Sequence, residues 1–348
     1  MILGIETFKC EFGETHDIGS VGDGCVEGGE SAFEVDILVD GGFLLNECNT
    51  HLIPFGAGEL DSPDLHARVT HMTSSSITAA LITEVFVNDP DGLRLSGRLR
   101  DAREGGAELA ILPELPMDPW IPKRREADPN DAEGPNGQRQ QAMAVAAARS
   151  GVAVLGGAII RDPATGKRHN TALLYKKDGS LVAAYRKLHL PFEENFWEAA
   201  HYEPGVDPPQ VISGFEIPLG IQICSDSNRT SGCHLLAAQG AGVIFVPRAT
   251  PETSWNRWRL VLRANAVTSA AWVVTVNRPP EGDPSPIGGP SAVISPTGEM
   301  VGESTHGVLI ATLDQKAVDQ ARKAYPGYLD HQPEVHGKGW SALGAQRG

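Results

Sequence analysis

From Ile77 onward the sequence predicts an α/β domain, and three observations predict it. Apolar runs of strand type alternate with helical stretches, the links are short, and several runs are continuously apolar, as strands covered on both faces are. Residues 77–87 open as a strand. Residues 93–104 alternate arginine and leucine at helical spacing and stop at Gly105-Gly106. Residues 109–112 are a short buried strand ending at Pro113-Glu114, residues 121–137 a polar, proline-rich loop, and 138–150 an alanine-rich helix. Strands follow at 152–160, 171–176 and 181–185, the last two joined by the turn Lys177-Asp178-Gly179-Ser180. A loop carrying Lys187 and Glu198 leads into a strand at 217–223, which runs straight into Cys224. Beyond it come a helix (232–239), a strand (243–246), a helix (256–269), a strand (272–276), strands at 291–295 and 307–313, and a tail that is helical from Asp314 and then irregular.

Residues 1–72 read as an acidic, glycine-dense extension ahead of the domain at 73–348. Helical periodicity is absent there, and only 33–39 and 43–45 have strand character. A small β appendage, a disordered leader, and sequence upstream of the true start all fit; Met72, ahead of Thr73-Ser74-Ser75-Ser76 and a strand, suits an initiator, so a chain starting there is expected to keep fold and activity. Of the net charge of −15, most belongs to this extension, since residues 1–76 hold fourteen acidic side chains against only Lys9 and Arg68. An acidic chain is a poor partner for nucleic acid. Cys10, His16, Cys25, Cys48 and His51 match no zinc spacing and read as scattered loop residues. With Cys224 and Cys233 they make five cysteines, an odd number that fits reduced thiols. Neither a membrane-spanning run nor a signal peptide is evident, and a cytoplasmic protein is expected.

Three strand ends each deliver one reactive side chain: Glu114, Lys187 and Cys224. The thiol precedes the polar run Ser225-Asp226-Ser227-Asn228, which predicts an exposed sulfur on a loop, where chemistry is usually placed. A free thiol is mostly protonated at neutral pH and needs a base to attack an amide. Glu114 supplies that base, and a lysine beside it balances charge and can donate to an oxyanion. Each residue also has a plainer reading: Cys224 as a small core residue, Glu114 as a surface acid after proline, Lys187 as a solvated strand end. Cys233 reads as structural, and His189 as a hydrogen-bonded strand-end residue.

Taken together, Leu112-Pro113-Glu114-Leu115, Tyr185-Arg186-Lys187-Leu188-His189-Leu190-Pro191 and Gly220-Ile221-Gln222-Ile223-Cys224-Ser225-Asp226 resemble the three signature segments of the nitrilase superfamily of carbon-nitrogen hydrolases. The likeness runs from about Ile77 to Leu313. Phe196-Trp197-Glu198, followed by Tyr202-Glu203-Pro204-Gly205, resembles the segment that carries a second glutamate; Glu193 and Glu194 compete, and the spacing selects Glu198. The resemblance implies a four-layer-forming α-β-β-α sandwich, a homodimer or larger homo-oligomer, and no metal or organic cofactor. It implies Cys224 as nucleophile, Glu114 as general base, Lys187 with the Ser225 backbone N–H as oxyanion stabilisers, and Glu198 as a positioning group.

The sequence departs from the family at Ser225, where an aromatic residue is common, and nitrile-hydrolysing members usually carry Trp-Glu there. Ser225-Asp226 therefore favours cleavage of a small linear amide or N-carbamoyl compound through a cysteine thioester, with release of ammonia. Conversion of a nitrile to an acid is the alternative within the class. From another class, a non-catalytic member binding a protein partner is the alternative. Arg229 and Arg248 are candidates to bind a substrate carboxylate, and both read equally well as dimer-interface residues or props of the Asp226 loop. Specificity is assigned to loops near 118–137, 193–203 and 280–290.

Overall fold

The computed structural model describes residues 43–45, 52–54, 75–128, 130–282 and 285–345. It divides into two units, Met1–Thr73 and Ser74–Gly348. In the first, β1 (Phe43–Leu45) and β2 (Leu52–Pro54) pair antiparallel. The strand expected at 33–39 and the residues Cys10, His16, Cys25, Cys48 and His51 lie outside the described residues.

The second unit opens with β3 (Ser76–Thr83), α1 (Leu93–Glu104), β4 (Leu109–Ile111), α2 (Gln138–Ser150), β5 (Ala153–Arg161), β6 (Arg168–Tyr175) and β7 (Leu181–Arg186). It continues through α3 (Glu198–His201), β8 (Leu219–Ile221), α4 (Ser231–Ala238), β9 (Val243–Arg248), α5 (Trp255–Ser269), β10 (Trp272–Asn277), β11 (Ser291–Ile294), β12 (Met300–Ser304), β13 (Gly307–Asp314), α6 (Gln315–Lys323) and α7 (Pro333–Ala345). One sheet has six strands in the order β13-β3-β4-β5-β6-β7, the other five in the order β12-β11-β10-β9-β8.

Strand periodicity explains how the layers form. In β3, Ile77, Ala79 and Leu81 face the other sheet and join one core with Leu109, Ile111, Leu219, Ile221 and Phe245. Their neighbours Ala80 and Ile82 face outward and pack with Ala110, with Leu95 and Leu99 of α1, and with Met143, Ala146 and Ala147 of α2. On the far side, Leu236 of α4 and Trp258, Leu262 and Ala266 of α5 cover the five-stranded sheet. The result is the expected α-β-β-α sandwich. Among the described residues no helix is long and apolar enough to cross a membrane.

Several boundaries differ from expectation for visible reasons. β3 stops at Thr83 because its antiparallel partner ends there, Thr83 facing Gly307; the Phe86 N–H then turns to the Pro116 carbonyl. β6 begins three residues early, at Arg168, since β5 continues to Arg161 and pairs with it. β12, unexpected, has only alternately half-buried side chains and lies at a sheet edge. The tail is helical again in α7 despite Gly337, Gly339 and Gly344.

Candidate active site

The topology sends the functional strand ends to one edge. β4 and β5 run parallel while β6 runs back against β5, so the C-terminal ends of β4 and β7 lie with the start of β6. In the other sheet β8, β9 and β10 are parallel, and their C-terminal ends carry Cys224, Arg248 and Arg278. Loops beyond the carboxyl ends of parallel strands are where such sheets place ligands.

Lys187 extends the inward face of β7, already set by Ala183 and Tyr185. Its Nζ donates to Glu114 Oε1 at 2.7 Å and to Glu198 Oε1 at 2.6 Å, and all three side chains are at most 1% exposed. Of the three competing glutamates it is Glu198 that bonds Lys187; Glu193 and Glu194 are exposed. Asn170 completes the cluster, its Nδ2 donating to Glu114 Oε1 at 2.7 Å and Glu198 Oε2 at 3.2 Å. The backbone of Lys187 is held from both sides, its N–H on the Asn170 carbonyl and its carbonyl on the Gly205 N–H. Gly205 is required by this approach, because a Cβ there would stand 2.7 Å from the Arg186 carbonyl oxygen.

Burial sets the electrostatics. It raises the pKa of Glu198 to about 7, Lys187 pulling the other way and Glu114 adding to the rise. Burial alone would lower that of Lys187, but Glu114 and Glu198 together carry it well above the usual lysine value. Lys187 is thus a permanent cation between two acids. Glu114 Oε1 is taken by Lys187 and Asn170, while the buried Oε2 has no hydrogen-bond partner.

Cys224 starts a 3-10 turn (Cys224–Asn228) with φ of 46°. A non-glycine residue in left-handed backbone carries a cost of about 1–2 kcal/mol that the surroundings must impose. Contrary to the exposed sulfur expected from the polar residues after it, Cys224 is only 4% exposed, with Sγ 3.9 Å from the Ala249 carbonyl oxygen. Burial pushes its pKa up strongly; Glu114 adds to this and Lys187 opposes it. Asp226, which explains the burial, ties the turn to the Lys187 segment. Its carboxylate accepts from the N–H groups of Leu188 and His189, from His189 Nδ1, and from the Tyr185 hydroxyl at 2.9 Å.

A second tie was invisible in the sequence. Arg278, fully buried, donates through Nη1 to the carbonyls of Glu114 and Leu115 and through Nη2 to that of Asp118, and pairs with Glu281. It fixes the turn after Glu114, where Leu115 has φ of 49°. Of the other candidates, Ser225 is half-buried and its hydroxyl donates to the His189 carbonyl. Arg229 is exposed. Arg248 is 0% exposed, its donors spent on Thr275, Thr250 and the Pro290 carbonyl, so it stands in the interior and not at an entrance.

A cleft of about 820 Å³ lies beside the cluster, lined by Glu193, Glu194, Phe196, Pro251, Glu252 and Ile287 among others. Phe196 and Ile287 pack in one small apolar group with Leu115 and Ala249, the neighbours of Glu114 and of the Cys224 sulfur. Phe196 and Ile287 thus connect the cleft lining to the residues next to Glu114 and to the Cys224 sulfur's carbonyl neighbour.

A family model described as carbon-nitrogen hydrolase matches residues 70–323. The omega-amidase NIT2 of Homo sapiens is 26% identical over 277 residues, covering 76% of this chain and 98% of the relative. That of Bos taurus is 28% identical, covering 70% and 90%. Among solved structures, Saccharomyces cerevisiae Nit3, a member of branch 10 of the nitrilase superfamily, aligns with a TM-score of 0.62 at 25% identity over 74% of this chain and 96% of its own. An amidase from Nesterenkonia sp. aligns at 0.61 and 25%, over 77% and 97%.

Proposed function

This chain belongs to the carbon-nitrogen hydrolase family, and from that premise we propose that it hydrolyses a small amide through a Cys224 thioester and releases ammonia. The observation that carries the reading is the buried Lys187 ammonium held at 2.7 and 2.6 Å between Glu114 and Glu198. Glu114 takes the thiol proton on its free Oε2, and the sulfur adds to the amide carbon. The negative oxygen so formed is met by Lys187 and the Ser225 N–H, and one such donor typically contributes about 3 kcal/mol to lowering a barrier. Glu114 returns its proton to the departing nitrogen, then activates a water that cleaves the thioester. Glu198 and Asn170 hold Lys187 and Glu114 in place. The omega-amidase and amidase names of the relatives support an amide over a nitrile or N-carbamoyl substrate. Assembly as a homodimer or larger oligomer, read by light scattering, belongs to the same proposal.

The cleft refines the substrate. Its described lining carries Glu193, Glu194 and Glu252 and no lysine or arginine. Three such charges about 8 Å from a substrate charge, in water, amount to about 1.5 kcal/mol, or about tenfold. A neutral or amine-bearing amide is favoured over an anionic one. The test is ammonia release from propionamide, β-alaninamide and succinamate, beside a ureido acid and a nitrile, with Cys224→Ala as control. Release from the first two, lost in the control, is expected; release only from the nitrile, or undiminished release in the control, overturns the reading.

A further inference from the structure

Glu281 stands where the cleft meets the segment that presents Glu114. Its Oε1 accepts from Nε of Arg278 at 3.0 Å and from Nη2 of the same guanidinium. That guanidinium holds the carbonyls of Glu114, Leu115 and Asp118. Its Oε2 accepts from the backbone N–H of Trp120 at 3.3 Å, two residues past Asp118. A counter-charge for the buried Arg278 needs only the first oxygen. The second, given to Trp120, fixes a distance.

Both ends of this span reach the cleft. Glu281 belongs to the lining segment of Pro280, Ser285 and Ile287. Its N–H donates to Ser285 Oγ at 3.0 Å, and the same hydroxyl accepts from the Ile287 N–H and donates to the Ile287 carbonyl. Trp120 holds a second lining segment: its Nε1 donates to the Asn195 carbonyl at 2.9 Å, and its ring centroid lies 5.9 Å from that of Phe196. A third segment starts at Pro251 and is tied to the first by the Gly288 N–H on the Thr250 carbonyl at 3.0 Å. Pro251 is two residues, at most about 7 Å of chain, from Ala249, whose carbonyl oxygen lies 3.9 Å from the Cys224 sulfur.

We propose that Glu281 is a positioning residue: by spanning Arg278 and Trp120 it keeps the cleft in register with Glu114 and Cys224, so that the acyl part of an amide lies in the cleft while its carbonyl meets the sulfur. This rests on Cys224 being the nucleophile of the amide reading, but its test needs no turnover. The probes are iodoacetamide and N-hexyliodoacetamide, which differ only in a six-carbon tail. In both, the sulfur takes the methylene carbon and iodide leaves with the bond pair. Rates at Cys224 are read by peptide mass spectrometry at pH 8 in the full chain. Glu281→Asp keeps the counter-charge of Arg278 but is one methylene short of the span. Glu281→Gln keeps the length, but its carboxamide offers one acceptor oxygen to two donors.

Wild type is expected to prefer the hexyl reagent about tenfold, the effect of withdrawing about two methylenes from water onto Phe196, Pro251 and Ile287. Each variant is expected to lose at least about threefold of that preference. A residue that served only to neutralise Arg278 would leave the preference intact in Glu281→Asp, and a general loosening of the fold would change both rates alike. Folding of either variant suffices, judged by an unchanged near-ultraviolet circular dichroism spectrum; Glu281→Asp retains the buried ion pair. A smaller loss in a folded variant, or no preference in wild type, overturns the proposal. Ammonia release from neither propionamide nor hexanamide, alongside the expected alkylation result, would overturn the amide reading and leave this one standing.

Discussion

Removing Lys187 should convert a buried, fully paired cluster of charges into an unpaired one. In Lys187→Met the side-chain volume is nearly kept, but Glu114 and Glu198, both 1% exposed and both bonded to one nitrogen at 2.7 and 2.6 Å, lose the one cation that forms an ion pair with them among the described residues. Leaving a buried charge unpaired costs about 3–5 kcal/mol. The two acids relieve part of this by sharing a proton, which places at least one folded-state carboxyl pKa above its unfolded value near 4.3. A group raised in this way contributes stability that is complete below its unfolded pKa and is lost as pH rises through the folded one. The variant should therefore fall further behind wild type as pH increases. Wild-type Glu198, already raised to about 7, itself gives up about 1.4 kcal/mol of stability from pH 6 to pH 8, so of the roughly 2.7 kcal/mol that one shared proton costs the variant at 1.36 kcal/mol per unit, the gap should widen by up to about 1.4 kcal/mol. Urea unfolding at the two pH values measures it. A gap below about 1 kcal/mol at pH 8, or one that does not grow with pH, would refute the account of a lysine holding two ionisable acids in the interior.

Arg278→Gln removes donors from the carbonyls of Glu114, Leu115 and Asp118; urea unfolding should show a loss of about 3–5 kcal/mol, and a loss under about 1 would mean the turn holds itself. Asp226→Asn sets an amide NH2 against donors from Leu188, His189 and Tyr185; hydrogen exchange at residues 187–190 should accelerate at least about tenfold, and unchanged protection would show the clamp is not needed. A chain starting at Met72 should melt as the full chain does and release ammonia at a rate within about twofold, since β3 begins only at Ser76 and the Gln315 N–H secures the Ser75 carbonyl; insolubility or inactivity would count against a domain boundary there.

The residues most legible in the sequence were those that end apolar runs. Glu114, Lys187 and Cys224 each follow a strand; the pattern showed that each closes an apolar run, while their convergence is a matter of sheet order, which the sequence does not carry. Burial was less legible. Ser225, Asp226 and Ser227 have loop composition, yet Asp226 and Ser227 are 0% exposed because their hydrogen-bond partners come from distant segments. Asn170 was missed although a signal existed: counting by twos from Ala172 and Leu174 puts it on the inward face of β6, where an amide must find partners. Arg278 left no comparable signal, because its acceptors are backbone carbonyls some 160 residues away in sequence, at Glu114, Leu115 and Asp118. Arg248 follows a strand like the others, but the helix that opens at Trp255 closes over it.

Glu114 and Lys187 follow strands of the six-stranded sheet and Cys224 follows a strand of the five-stranded one; the sheets pack on each other through side chains and are linked by residues 305–306, between β12 and β13, at the edge away from β7 and β8. Catalytic alignment is thus a property of a seam. Each half can keep its backbone ladder intact while sliding on the other, and a slip of one ångström would part sulfur from base without unravelling a single strand. On warming, such an enzyme would fall silent before it unfolds.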